Sequence, residues 1–430
     1  MHAFINNIVN RLDRFSENTA IFLIVTYKIF IDIIYYVWIS DFYAYTGMTS
    51  SINPLRLSCI AIVFLLAIPL VLQHCKLRKS SDYIMFFFDF MYFIPGLAYV
   101  SFKECSVMYI LYYCAFYFVL VVVNECTPSN KMKLTISKTI VKGIIFALVF
   151  LTFIYVVRLN GFSIKLNLEG VYEARAQYAK MKVPTLFKYL KNPMANILPI
   201  LVYICLKNRK YIHGLLFALV QLSLYSLGAN KMNLFFLFIA IAMAMVDIRG
   251  RILVVAFWGL MIVSIILCCI KENPMEGIVT DLLVRRMMIL PNHLSLEYFK
   301  YFQEKEILLF RTTLFDFIES ARIYDKDISY VIGEVMGTGG NMNNGLAGDA
   351  YANLGWWALI FYPVLFFCLF WVFNFATDKC CRGCIILSAL IIAVIYIDSN
   401  FFTAIFTHGT ALILVILLLL PKEKGILDEG

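Results

Sequence analysis

The chain has 430 residues, of which 62% are hydrophobic, 16% aromatic and only 15% charged, with a formal charge of +9. A soluble domain is nearer half apolar and a quarter charged, so an ordinary globular protein is excluded. The basic residues sit in short loops between apolar blocks, which speaks for membrane topology and against nucleic-acid binding.

The apolar residues fall in blocks of roughly 17–25, the length an α-helix needs to cross a bilayer. They lack the alternation of a β-barrel. The expected fold is all-α, a polytopic integral membrane protein formed as a single membrane domain over 1–430. About twelve spans are predicted, near 19–40, 56–73, 83–101, 105–124, 139–158, 194–207, 210–227, 232–247, 252–270, 351–374, 384–400 and 401–420.

Residues 1–18 are too polar for the core of a signal peptide. Ile5, Ile8, Val9 and Leu12 recur at helical spacing beside Arg11 and Arg14, which predicts a short amphipathic helix on the cytoplasmic surface. Lys28 and Asp32 are four apart on the first span and share a face. Asp89 and Lys142 are intramembrane charges with no local partner in the sequence. Such groups are costly to bury; they serve function or pair between helices.

Orientation follows from lysine and arginine in alternate loops. One set holds Arg11 and Arg14; Lys76, Arg78 and Lys79; Lys131, Lys133 and Lys138; Lys207, Arg209 and Lys210; Arg249 and Arg251; Lys379 and Arg382; and Lys422 and Lys424. The short loops of the other set hold only Lys103 and Lys231. The bias places both termini in the cytoplasm and two long loops, 159–193 and 271–350, outside.

The first long loop carries six bases and two acids, among them Glu173 and Arg175. A cationic loop at a bilayer suits an anionic lipid headgroup or a lipid-linked phosphate. Gly228-Ala229-Asn230-Lys231 joins two spans at the outer surface, where Lys231 either seats a phosphate at a helix N-terminus or snorkels to the interface. The second long loop carries eight bases and twelve acids. In it Arg285 and Arg286 precede Leu290-Pro291-Asn292-His293. Leu296, Phe299 and Phe302, with Tyr298, form an apolar face expected to rest on the membrane. The glycine-rich run Gly337–Gly345 reads as a lid or a flexible connector, and Asp349 as a base or the cap of the next helix. Trp356 and Trp357 mark the outer interface.

The twelve cysteines do not form a disulfide framework, and the single Cys381-x-x-Cys384 lacks a second metal-binding pair. There is no Walker loop, dinucleotide fingerprint, zinc-protease motif or nucleophile elbow. Any substrate must therefore arrive already activated and already in the membrane.

Tyr172-Glu173-Ala174-Arg175, Gly228-Ala229-Asn230-Lys231, Arg286 five residues before Pro291 with Tyr298-Phe299 following, and Gly345-Leu346-Ala347-Gly348-Asp349-Ala350-Tyr351 resemble the bacterial oligosaccharide repeat-unit polymerases, the Wzy-type O-antigen and capsular polymerases. Some members carry Arg-x10-Gly motifs in both large outer loops. Here Arg322 and Gly333 have that spacing, whereas Arg175 meets Leu186. The resemblance implies a glycosyltransferase of the bacterial cytoplasmic (inner) membrane that uses no metal or other cofactor. Its partners would be undecaprenyl-pyrophosphate-linked glycan, membrane lipid and a chain-length regulator protein. In that reaction negative charge grows on the departing pyrophosphate, for which Arg175, Lys231 and Arg286 are the candidate cations. His293, Asp349 and Glu173 are the candidate bases for the acceptor hydroxyl. An O-antigen ligase-type transferase would share these features. A polysaccharide flippase would instead need a polar path between helices and no large outer loops.

Overall fold

The computed structural model describes residues 16–129, 138–161, 178, 181, 183–228, 231–246, 250–271, 278–313 and 323–420. The amphipathic helix expected before residue 16 and the first-loop residues Glu173 and Arg175 lie outside them. Among the described residues every regular element is helical.

Eight helices are long and apolar enough to cross a membrane. They comprise α1 (Glu17–Phe42), α2 (Pro54–Cys75), α3 (Ser80–Phe102), α4 (Val107–Cys126), part of α5 (Lys138–Asn160), part of α6 (Thr185–Lys207), part of α9 (Gly250–Lys271) and the continuous run Leu346–Thr377. That run contains α13 (Leu346–Leu354) and α14 (Ala358–Thr377). Shorter helices complete the bundle: α7 (Tyr211–Gly228), α8 (Lys231–Met245), α15 (Arg382–Asp398), α16 (Phe401–Phe406) and α17 (Thr410–Leu419). The chain is a helical membrane protein.

Helix starts follow local sequence rules. Ser16 caps α1 by accepting the Thr19 amide at 3.3 Å, and Ser106 caps α4 by accepting that of Tyr109 at 3.2 Å. Asn53 caps α2 with Pro54 behind it, a residue whose missing N–H costs nothing in a first turn.

The core is built on α3 and α15, which pack against each other. The most apolar stretch of α3 is wholly buried, and so is every residue of α15 from Cys384 to Ile397. Around them α2, α5 and α9 turn large apolar side chains outward, Leu66, Phe150 and Ile270 among them. In water such a surface would be unstable; against lipid it is the expected exterior.

Hydrogen bonds define two ends of the bundle. At one end Arg78 pairs with Glu125 at 2.7 Å, Lys79 donates to the Asn124 carbonyl, and the Ser81 amide donates to Asn374. At the other, Arg56 bonds the Ser101 and Phe102 carbonyls that close α3, and Lys103 bonds Gly47 and Thr49. Loops assigned to opposite sides by the charge rule thus gather at opposite ends.

The expectations differ from the structure at three places. The segment 401–420 is not one span: Gly409, at φ 86°, separates α16 from α17. A left-handed turn ends a helix, and glycine adopts it without strain. The second long loop, 271–350, contains three helices, α10 (Ile278–Ile289), α11 (Leu290–Glu304) and α12 (Ile328–Val335). Finally, the α11 face of Leu296, Tyr298, Phe299 and Phe302 does not rest on lipid. It is buried in protein, with Phe299 against Tyr109, Tyr112 and Tyr351. A stripe at three-residue spacing signals burial without saying whether lipid or protein covers it.

Candidate functional site

Outside the eight candidate spans, α10 carries a cluster of three charged side chains. This segment winds as a π-helix, whose wider turn closes from residue i to i+5. Positions four and five along therefore flank one face, whereas in an α-helix the fifth turns away. Asp281 consequently reaches both following arginines. Its Oδ1 accepts Arg285 Nε at 2.6 Å, and its Oδ2 lies 3.4 Å from Arg286 Nε. The Tyr43 hydroxyl donates to the same Oδ1 at 2.6 Å, and the Arg285 guanidinium lies over the Tyr43 ring at 4.2 Å. Burial pushes the Asp281 carboxyl up, but hydrogen bonds from Arg285 and Tyr43 and the charge of both arginines outweigh it. They hold it below the usual carboxylate range.

Two guanidiniums on one carboxylate leave a local excess of one positive charge. Arg285 is buried at 8% exposure and spent on Asp281 and Tyr43. Arg286 is 43% exposed at its side chain, and its ion pair among the described residues is the long contact to Asp281. It is the arm of the cluster that an anion can meet. A bidentate guanidinium matches phosphate oxygens well.

His293 follows on α11 and is buried. Its Nε2 lies 3.0 Å from the Thr46 carbonyl and its Nδ1 lies 2.8 Å from the Tyr99 hydroxyl. A carbonyl only accepts, so Nε2 carries the proton and Nδ1 accepts from Tyr99. Burial pushes its pKa down to about 4, aided by Lys103 and Lys300 and opposed by Glu297 and the Thr46 bond. The ring is neutral at pH 7 with both nitrogens bonded, so in this conformation no lone pair is open to a substrate.

Asp349 is not the cap of its helix; Gly345 occupies that position. Asp349 lies inside α13, where Asn353 Nδ2 donates to Oδ1 at 2.8 Å. The Tyr362 hydroxyl and the Phe401 amide donate to Oδ2 at 2.7 and 2.8 Å. The carboxylate ties α13, α14 and α16 together.

Lys231 opens α8 and is partly exposed. α8 packs on α6, α7 and α15, whereas α10 packs on α3, α9 and α11. No hydrogen bond or ion pair joins Lys231 to Arg286 among the described residues. Of the six sequence-predicted residues, Arg286 and His293 lie on the consecutive helices α10 and α11, the first exposed and the second buried, Asp349 and Lys231 stand apart, and Glu173 and Arg175 lie outside the described residues.

The glycine-rich run after α12 is fastened. The Thr338 and Gly339 amides donate to the Gly333 carbonyl, Met342 N donates to Ser329 O, and the Tyr298 hydroxyl donates to Met342 O. A Cβ on Gly345 would lie 2.0 Å from the Tyr396 carbonyl oxygen.

Sequence reasoning missed Asp281 and Tyr43. The usable signal was one acid four and five residues before two arginines, which pairs with both only on a π-helix. Among the described residues no group of three histidine, cysteine or acidic side chains could hold a metal, and Cys381 Sγ lies 3.8 Å from the Tyr203 hydroxyl. Comparison with protein-family models, with curated proteins and with solved structures finds no match to this chain.

Proposed function

We propose that this chain is a membrane glycosyltransferase. It polymerises undecaprenyl-pyrophosphate-linked repeat units into O-antigen or a related surface polysaccharide. The reaction takes place at the outer face of the bacterial cytoplasmic membrane, with both termini in the cytoplasm. The acceptor hydroxyl of one repeat unit attacks the anomeric carbon of another. The bond to phosphate breaks, and the pyrophosphate leaves carrying the growing negative charge.

The observation that supports this reading is the exposed Arg286 held beside Arg285 by Asp281. A fixed guanidinium stabilises charge that appears only as the pyrophosphate departs, which lowers the barrier without tightening ground-state binding. Tyr43 and Asp281 set the position of the pair. His293 and Asp349, with their polar atoms bonded, keep α11 and α13 in place. Glu173 is the remaining candidate base, and Arg175 and Lys231 the further candidate cations.

Deletion of the gene followed by surface-glycan electrophoresis tests the reading. A polymerase leaves single repeat units attached and removes the long chains. Complete loss of attached glycan points instead to a ligase-type transferase or a flippase. Complementation with Arg286→Ala should lower chain elongation about 10²-fold. Full elongation by that variant overturns the assignment of Arg286.

A further inference from the structure

A second polar cluster lies inside the bundle, where α2, α3 and α4 meet. His74 Nδ1 and Asp89 Oδ2 are 2.7 Å apart, and the Tyr117 hydroxyl donates to Asp89 Oδ1 at 2.6 Å. His74 and Asp89 are both 0% exposed, yet His74 Nε2 has no partner. An imidazole buried with one nitrogen unsatisfied is costly in either protonation state. Burial without that partner is hard to explain by packing alone, because an apolar side chain would fill the site at lower cost.

The surrounding charges lead from this group to the charged end of the bundle. On α3, Asp82 accepts the Arg78 and Lys79 amides and Asn124 Nδ2. Glu125 on α4 pairs with Arg78. Asp82 and Glu125 also contribute to the field at His74. Ser81 Oγ and Asn124 Oδ1 in the same corner are likewise buried without a partner. The polar corner at Asp82 and the His74–Asp89 pair thus lie on α3 and its neighbours, with further unpartnered oxygens at Ser81 and Asn124 among the described residues.

In the other direction the cluster is wired to α11. Asp89 begins a π-helical turn, Asp89–Phe93, in the middle of α3. Such turns leave backbone groups to be satisfied from outside and recur at functional places. Here the Phe90 carbonyl accepts the Tyr27 hydroxyl, and the Tyr92 carbonyl accepts Tyr113 and Asn292 of α11. The Tyr92 hydroxyl pairs with Ser295 of α11 at 2.8 Å. The Phe93 ring stacks on Tyr117 with centroids 3.4 Å apart. The turn that holds the carboxylate therefore also holds the helix that follows Arg286.

We propose that His74, Asp89 and Tyr117 form an intramembrane proton-binding site whose occupancy is passed through the Asp89–Phe93 turn to α11. With the proton bound, an imidazolium faces the carboxylate and the pair is neutral overall. Without it, a net negative charge remains on Asp89, and the hydrogen bond from Tyr117 carries more of the load. The two states pull differently on the turn and on its bonds to Asn292 and Ser295.

The test uses the full chain in lipid nanodiscs, with ¹⁵N-labelled histidine and proton–nitrogen correlation spectra between about pH 5 and 9. The imidazole whose signal is absent from His74→Asn is expected to titrate. Asp89→Asn should move its midpoint by about one unit or more. Tyr117→Phe, which keeps the ring stack, should move it less. Hydrogen exchange of α11 amides, corrected for intrinsic rates, should change across that midpoint in the parent chain and not in His74→Asn. An imidazole that stays in one state throughout, or α11 protection that ignores His74, overturns the proposal. If His74→Asn or Asp89→Asn does not fold, Tyr117→Phe carries the same test, and an unshifted midpoint there counts against it. None of these readouts involves glycan transfer, so the proposal fails or stands independently of the enzymatic reading.

Discussion

On α10 one carboxylate, Asp281, holds two guanidiniums and leaves Arg286 43% exposed at its side chain. On α13 one carboxylate, Asp349, is held by three donors and is 2% exposed. Both regions hold a carboxylate by hydrogen bonds from several donors. What differs is the charge of the donors. The three donors on Asp349 are neutral, come from α13, α14 and α16, and make the carboxylate a tie between helices. In the Arg285–Arg286 group charge is left over, and it points outward. A residue type that can do catalysis is therefore a weak guide until its partners are counted.

The comparison breaks most visibly at Asp349. Replacement by alanine removes the acceptor of the Tyr362 hydroxyl and the Phe401 amide in a buried place. The expected loss is about 4 kcal/mol of stability, read by denaturant or thermal unfolding in detergent. Asp349→Asn keeps the shape and should cost less. If Asp349→Ala unfolds like the parent chain, the tie is not structural and the residue returns to the list of bases.

The same contrast explains how much was legible in sequence. Twelve spans were expected, and apolar blocks revealed the eight helices long and apolar enough to cross a membrane, because lipid imposes length and composition locally. The Lys28–Asp32 pair was legible because its members are four apart, and the structure places them at 2.5 Å. Asp89 had no readable partner because His74 and Tyr117 come from two other helices. His293 looked like a catalytic histidine because Thr46 and Tyr99, which occupy its nitrogens, lie far away in the chain. Long-range pairing of polar groups leaves no trace in local pattern, and that is where the site readings stopped while the fold reading continued.

His293 should show its role through pH. Its folded pKa of about 4 lies below the ordinary imidazole value of 6.5. Between these values the unfolded chain binds a proton that the folded chain refuses. Stability therefore rises with pH through this window and falls on acidification from about 6.5 toward 4, by up to about 3 kcal/mol. The His293→Gln variant should flatten the profile there. Asp281, with its pKa depressed, contributes with the same sign in a lower window. Its stabilisation is present above the ordinary carboxylate value and is lost as pH falls through the lowered one.

Gly345 tests the packing beneath Asp349. An alanine Cβ there would lie 2.0 Å from Tyr396 O and 2.7 Å from Ser399 O, both backbone atoms that cannot rotate away. Gly345→Ala should cost about 2 kcal/mol. Gly143 on α5 has nothing within 4 Å of its added Cβ. Gly143→Ala should be neutral or stabilising by about 0.5 kcal/mol, through helix propensity alone. Equal behaviour of the two variants in unfolding experiments would show that the seat of α13 is looser than its contacts imply.

Arg286 is the smallest effect on stability and the sharpest on function. Its contact to Asp281 is long and exposed, and ion pairs of that kind contribute little. Arg286→Ala should leave the unfolding midpoint within the range of an ordinary surface substitution, about 0.5 kcal/mol. Arg285→Ala should not, because it removes a 2.6 Å ion pair and the stack on Tyr43 and leaves Asp281 partly buried with less compensation. Two neighbours in sequence would thus separate cleanly, Arg285 by stability and Arg286 by chain elongation at unchanged stability. Loss of elongation in Arg286→Ala that merely follows a loss of folded protein would place Arg286 with Asp349, as part of the scaffold and not of the site.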